Sequence, residues 1–489
     1  MEQQEPTPQP AAPSLLQALA PVALLIFLLF VSVQFYGSDS SYGPNQIALM
    51  LSSIVAALVG MRNGLTWKQM EAGMVHGISL SMGAMFILLI VGSLIGTWIL
   101  AGIVPTMIYY GMQILSPTIF YVASCIICAF VALGTGSSWT TAGTIGLALV
   151  GIATALDLNL GATAGAVISG AYFGDKLSPL SDTTNLAPAM AGTDLFTHIG
   201  HMLWTTVPSM ILACILFTIL GFVYQPGTGE ADLATYLNLL NEHFTISPLM
   251  LVPLLIVLGL VMKKMPAFPA LLIGALIGAV WAMLFQQQTV LAFVNDDTMS
   301  TFPALVKGCW TALHSGFAIS TENEAFDKLL SRGGMSSMLN TIWLIIAAMM
   351  FGASMEKTRS LEVIAGQVLK LANSTGSLVL ATLSTSMGMN IIAGDQYIAI
   401  VIPGRMFRAE FENRGLAPQN LSRCLEDAGT LTSVLVPWNT CGAYMATTLG
   451  VATGTYWYFC FFNMFNPIIS AIYGFTGFSM IKLEKGENA

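Results

Sequence analysis

Apolar runs of roughly twenty residues recur along the chain, and this recurrence constrains the fold more than any other feature. They fall at 15–35, 44–59, 73–102, 116–133, 140–156, 204–224, 266–285 and 339–355. At a rise of 1.5 Å per residue, about twenty helical residues cross a hydrocarbon core about 30 Å thick. With no water there to satisfy the backbone, only helices and closed barrels span a bilayer. The runs are continuous, whereas barrel strands alternate over about ten residues. The chain is 55% hydrophobic and only 9% charged, against about 25% charged in a soluble domain. The fold class is therefore an all-α polytopic membrane protein with about ten to twelve spans or re-entrant pieces. No basic patch interleaved with aromatics points to nucleic acid. No phosphate-binding glycine loop or dinucleotide fingerprint is present, so nothing points to ATP as the energy source or to a cofactor. Cys125 and Cys128 have redox spacing without flanking histidines and are read as packing residues.

Composition and charge divide the chain into expected segments. Residues 1–13 are a disordered Pro/Gln-rich tail without the basic start of a signal peptide. Residues 14–60 hold the N-terminal transmembrane helices and 61–224 a first transmembrane repeat. A polar linker (225–247), linking helices (248–286) and a long loop with an amphipathic segment (287–338) follow. A second transmembrane repeat (339–482) and a short tail (483–489) complete the chain. Arg62 and Lys68, Lys263 and Lys264, Lys357 and Arg359, and a basic loop with Arg405, Arg408, Arg414 and Arg423 mark cytoplasmic sides by the positive-inside rule. On this reading no arginine lies inside a span.

One stretch breaks the apolar pattern. Residues 170–198 carry Asp175, Lys176, Asp182 and Asp194, with Ser178, Ser181, Thr183, Thr184, Asn185 and two prolines, Pro179 and Pro188. A charge at bilayer depth costs at least about 2.5–3.5 kcal/mol unless it is paired, hydrated or ion-bound. Proline frees backbone carbonyls, and irregular backbone survives there only when buried in protein or lining a cavity. Carboxylates, hydroxyls, an amide and free carbonyls together are oxygen ligands for a small cation. Similar clusters lie at Gly134-Thr-Gly-Ser-Ser-Trp139, at 390–396 and at 427–440. Setting residues 178–193 against 433–448 matches Ser178 with Ser433, Leu180 with Leu435, Met190 with Met445, Ala191 with Ala446 and Thr193 with Thr448. After a three-residue shift Gly136 meets Gly394. Loop charges place the two halves in opposite orientation, the inverted-repeat plan in which interrupted helices meet at the midplane.

The run from Gly170 through Asp175, Ser178, Ser181 and Asp182 to Pro188, with Gly134–Thr140 and Val436-Pro-Trp-Asn-Thr440, resembles the NhaC family of Na⁺/H⁺ antiporters within the larger ion transporter superfamily. The resemblance implies a multi-pass protein of the bacterial inner membrane, with two inverted repeats of broken helices and re-entrant hairpins. It implies Na⁺ and H⁺ as the exchanged ions and no enzymatic activity; the chain has neither a His-Glu-x-x-His nor a Gly-x-Ser-x-Gly motif. The family also includes exchangers of malate and lactate or of amino acids, so a small organic solute is the alternative cargo. Beyond the lipid bilayer, a homodimer is the expected partner. The motif carries Asp175, Ser178, Ser181, Asp182, Thr183 and Asn185 over as ion ligands, and Asn439 and Thr440 resemble Asn-Thr signatures of Na⁺ sites. Asp175 and Asp182 are the first expected carriers of the exchanged cation, Asp395 and Asp427 the second. Gly134, Thr135, Gly136, Ser137, Ser138, Trp139, Asn390, Gln396 and Trp438 are expected to line the cavity. Lys176 is expected to neutralise a carboxylate, and Asp194 with His198 to relay protons. Desolvation disfavours a charged carboxylate and bound Na⁺ favours it, so competition for one carboxylate couples the two ions.

Overall fold

The computed structural model describes residues 11–224, 230–296 and 298–483. Most of both expected tails and the start of the expected linker (225–229) lie outside the described residues. Among the described residues there is no strand, only an isolated antiparallel bridge between Leu416 and Lys482. Eight helices are long and apolar enough to cross a membrane, or ten if each of two bent pairs counts as one span. They begin with Leu15–Tyr36 and Pro44–Arg62 and end with Met335–Lys357. The outward stripe of the helix Leu195–Val223 is apolar: Ile211, Ile215 and Ile219 are exposed one turn apart, as lipid contact requires.

Three regions differ from the sequence expectation. The run 73–102 is two helices, Trp67–Leu80 and Met82–Leu100, meeting at Ser81. The first is too polar for the bilayer core, with Lys68, Glu71 and His76 along it, and a Thr66–Gln69 capping box starts it. The linker contains the helix Glu230–His243. The basic loop is largely helical: Arg405 and Arg408 ride on Gln396–Asn413, and Arg423, on Pro418–Cys424, is fully buried. An arginine therefore does lie inside the helical body. Its guanidinium donates to the Ser479 carbonyl and hydroxyl, both at 3.1 Å, and the buried Asp427 carboxylate 3.9 Å away offsets its charge. The long segment 287–338 holds the expected amphipathic helix, Thr301–His314, which buries Ala304, Leu305, Gly308 and Ala312 on one face.

Turns and caps in the two halves recur at one spacing, in a simpler register than the sequence alignment. Gly136 and Gly394 both take left-handed φ, +67° and +68°. They stand 258 positions apart, as do the extended helix-capping residues Ser137 and Asp395 that follow them. The same spacing relates Pro179 to Pro437, the N-caps Ser181 and Asn439, and the left-handed Gly192 and Gly450 that end the half-helices Asp182–Ala191 and Thr440–Leu449. No shift between the two pieces is needed. The pairing of Ser178 with Ser433 is thus replaced by a pairing with Val436. Identical residues misled because caps and left-handed turns accept several residue types.

Candidate functional site

Each repeat contributes a helix-turn tip and a helix break. In the first, the helix Phe120–Thr135 ends at Gly136, and Ser137 caps the next turn, accepting from the Thr140 amide at 3.1 Å. Against it lies the helix Leu160–Leu177. Gly170 and Gly174 face the carbonyls of Cys125 and Ala129 so closely that a Cβ would overlap them. Such a small-residue seam brings two membrane helices into contact, and it sets Asp175 beside the tip. Ser138 donates to Asp175 Oδ2 twice, from its amide at 2.9 Å and its hydroxyl at 2.6 Å. The carbonyls freed at this break are satisfied locally. Thr184 donates to the Asp175 and Lys176 carbonyls at 3.3 and 3.1 Å, and Asn185 to those of Pro179 and Ser181 at 3.0 and 2.7 Å. Asn185 therefore shapes the loop.

Gly136 is the pivot of this arrangement. A Cβ there would press on the Leu180 Cβ and come within 3.1 Å of Ser178 Oγ. Gly136→Ala is expected to lose about 1–2 kcal/mol to left-handed backbone strain alone, with further cost from the contact. A fall in melting temperature in detergent, together with lost transport, is the expected result; unchanged melting would contradict it.

In the second repeat the turn at Ala393–Gly394 leads into Asp395, which caps Gln396–Asn413 by accepting from Tyr397 and Ile398 amides at 2.8 and 3.2 Å. The Thr440 amide donates to the Gly394 carbonyl at 2.9 Å, and its hydroxyl lies 3.4 Å from Asp395 Oδ2. Asn439 and Asn390 brace this break from behind, both fully buried. Asn439 donates to Asn390 Oδ1 at 3.1 Å, and Asn390 to the Gly429 carbonyl at 2.7 Å.

The two constructions meet in one cavity of about 720 Å³. Asp175, Asp182 and Asp395 all line it, with Thr135, Gly136, Ser137, Ser138, Trp139, Ser181, Thr183, Gln396 and Thr440. Asp182 is exposed to this space, Asp175 half-buried and Asp395 buried. Tyr397 was missed by sequence reasoning; it also lines the cavity and has all three carboxylates as electrostatic neighbours. Trp139 stacks on Tyr444 with ring centroids 4.0 Å apart, and the Tyr444 hydroxyl donates to the Trp139 carbonyl at 2.8 Å, tying the repeats together. Trp438 borders a separate cavity of about 840 Å³, and its indole donates to the Ile391 carbonyl at 2.7 Å.

Several expected site residues lie elsewhere. Gly134 remains within the helix Phe120–Thr135, away from the cavity wall. Asn390, Asn439 and Asn185 hold backbone, and Ser178 is buried behind the wall. Asp427 is also away from the cavity: Lys176 Nζ donates to it and, at 2.8 Å, to Asn466, while Thr205 donates to the same carboxylate oxygen at 3.1 Å. Lys176 is thus the paired charge the sequence led us to expect, and its partner comes from the other repeat. Asp194 and His198 have separate partners. Asp194 caps Leu195–Val223 by accepting from Phe196 and Thr197 amides, and the Thr197 hydroxyl together with these amides holds its carboxyl below the usual range. His198 points inward to Ser422 Oγ at 2.7 Å.

Residues 170–478 match the model of the Na⁺/H⁺ antiporter family. This chain belongs to that family. It is 39% identical to the Na⁺/H⁺ antiporter NhaC of Alkalihalophilus pseudofirmus, over 89% of this chain and 91% of that one. It is 38% identical to the malate-2H⁺/Na⁺-lactate antiporter of Bacillus subtilis, over 89% and 90%. It is 35% identical to the arginine/ornithine antiporter ArcD of Halobacterium salinarum, over 97% and 95%. The family match covers both helix breaks and the second tip, while the first tip lies just upstream of it. Membership places the chain among multi-pass proteins of the bacterial inner membrane, in accord with its apolar helices.

Proposed function

We propose that this protein exchanges Na⁺ for H⁺ across the membrane, with the cations taken at the junction of the two tips and the two breaks. The observation that carries the reading is the meeting of Asp175, Asp182 and Asp395, from both repeats, in one polar cavity. Like charges so placed repel unless a proton or metal cation sits among them. Asp175, Ser138, Asp395 and Thr440 are the oxygen ligands we assign to Na⁺. The half-helices Asp182–Ala191 and Thr440–Leu449 begin at this junction, as in transporters built on interrupted helices. Lys264, in the basic turn between Val252–Met262 and Ala267–Phe285, also borders the cavity. By the positive-inside rule the cavity then opens to the cytoplasm.

In proteoliposomes holding a trapped pH dye, an external Na⁺ pulse is expected to alkalinise the lumen without any organic solute. Silence with Na⁺, Li⁺ and K⁺, followed by a response to malate, lactate or an amino acid, would replace this reading with solute exchange. One observation favours that second reading: about 720 Å³ is far more room than a bare cation needs.

A further inference from the structure

Glu426 is unlike every other acid among the described residues. It lies in the π-helical segment Leu425–Thr430, where the second broken helix widens before its break. Its side chain is fully buried, and neither carboxylate oxygen has a hydrogen-bond partner. The hydroxyls of Thr430 and Thr183 stand beside it, and that of Thr430 is itself unpartnered. Thr183 also lines the cavity, so only one side chain separates Glu426 from the carboxylates there. π-Segments inside helices are frequent at functional sites because they leave carbonyls and side chains out of the regular ladder.

The charges around Glu426 do not neutralise it. Lys176, on Leu160–Leu177, is the base whose charge acts on it, but the ammonium is committed to Asp427 and Asn466. Arg423 turns to Ser479 and lies 3.9 Å from Asp427. His198 and His201, on Leu195–Val223, are buried, His198 against Ser422, and Asp175 adds only like charge. A buried carboxylate with no partner is too costly to stand ionised and alone. Some cation, a proton or Na⁺, must accompany it.

We propose that Glu426, with the hydroxyls of Thr183 and Thr430, forms a second cation site behind the cavity and holds one of the exchanged ions. Thr183 gives an ion a route between this site and Asp175. This inference rests on the Na⁺/H⁺ reading above. It assigns a carboxylate that neither the motif nor the cavity lining includes.

Glu426→Gln keeps the shape and removes the site. Three readouts on purified protein decide the matter: Na⁺-driven proton movement in dye-loaded proteoliposomes, ²²Na⁺/Na⁺ exchange, and Na⁺-dependent melting in detergent. The expected result is that E426Q melts at or above the wild-type temperature without Na⁺ and loses proton movement. Retained ²²Na⁺/Na⁺ exchange then identifies the occupant as the proton. Loss of that exchange, with loss of Na⁺-dependent stabilisation, identifies it as Na⁺. Glu426→Asp, which retains a carboxylate, is expected to restore coupled exchange with a shifted Na⁺ half-saturation. E426Q moving protons at the wild-type rate would overturn the proposal, as would E426D behaving like E426Q. A wild-type protein that moves no protons with Na⁺ would instead overturn the function on which the proposal rests.

Discussion

Replacing Asp175 with Asn is expected to abolish coupled exchange while leaving the protein folded. Asparagine keeps an oxygen to accept from the Ser138 amide and hydroxyl, which now donate at 2.9 and 2.6 Å, so the tip stays attached to the break. What is lost is the charge. A charge-assisted contact contributes about 1.5–3 kcal/mol, equivalent to about 10–100-fold in Na⁺ affinity. An amide also cannot carry the proton, so coupling fails even when Na⁺ is saturating. The measurement is the dye response of proteoliposomes over a Na⁺ titration, with melting of the purified variant as the control for folding. A well-folded D175N protein with wild-type Na⁺ half-saturation and wild-type proton movement would remove Asp175 from the mechanism.

The second large effect concerns stability. Lys176 and Asp427 are both fully buried and joined across the two repeats. Lys176→Met takes away the cation bonded to the Asp427 carboxylate in the protein interior and leaves only Arg423, 3.9 Å away, as a counter-charge. Breaking a buried pair from one side costs about 3–5 kcal/mol, whereas replacing both partners by neutral groups is often close to neutral. K176M alone is therefore expected to melt well below the wild type, and K176M with D427N to recover part of the loss, the remainder reflecting Arg423, which loses the carboxylate 3.9 Å away. Thr205 and Asn466 remain as neutral partners for the new amide, each already within hydrogen-bond distance of the pair. Equal destabilisation in the single and double variants would show that the charge pairing is not what joins the repeats. Because the pair holds the first broken helix to the second, the single variant is also expected to lose transport.

Much of the fold was legible in the sequence because the bilayer simplifies the physics. A run of apolar residues can do little there except form a helix, and the expected runs at 116–133 and 140–156 correspond closely to the helices Pro117–Thr135 and Ser138–Ala155. The first break was legible for the same reason. Asp175, Asp182 and Pro179 in one short stretch have no low-energy place in a lipid-facing helix, so they announced a cavity. Asp395, Ser138 and Thr440 were found by extension through the repeat. Glu426 was not, although an acid close to a polar, proline-broken segment was a signal on the same physical grounds.

The amino-acid sequence alone therefore determined the class of the protein, its helical spans, and the two polar breaks around which a site could form. Tertiary structure decided which polar groups reach that site. The repeat register of 258 positions depends on left-handed turns and caps at Gly136 and Gly394, and several residue types satisfy such geometry equally well. Lys176 could neutralise any nearby acid, and only packing selects Asp427, which lies 251 residues away. Asn390 and Asn439 have the chemistry of ion ligands, yet each spends its amide on backbone carbonyls or on the other. The reason is common to all three cases. A sequence specifies what a side chain can bind, but partners hundreds of residues apart are chosen by the burial and distance that only the packed helices supply.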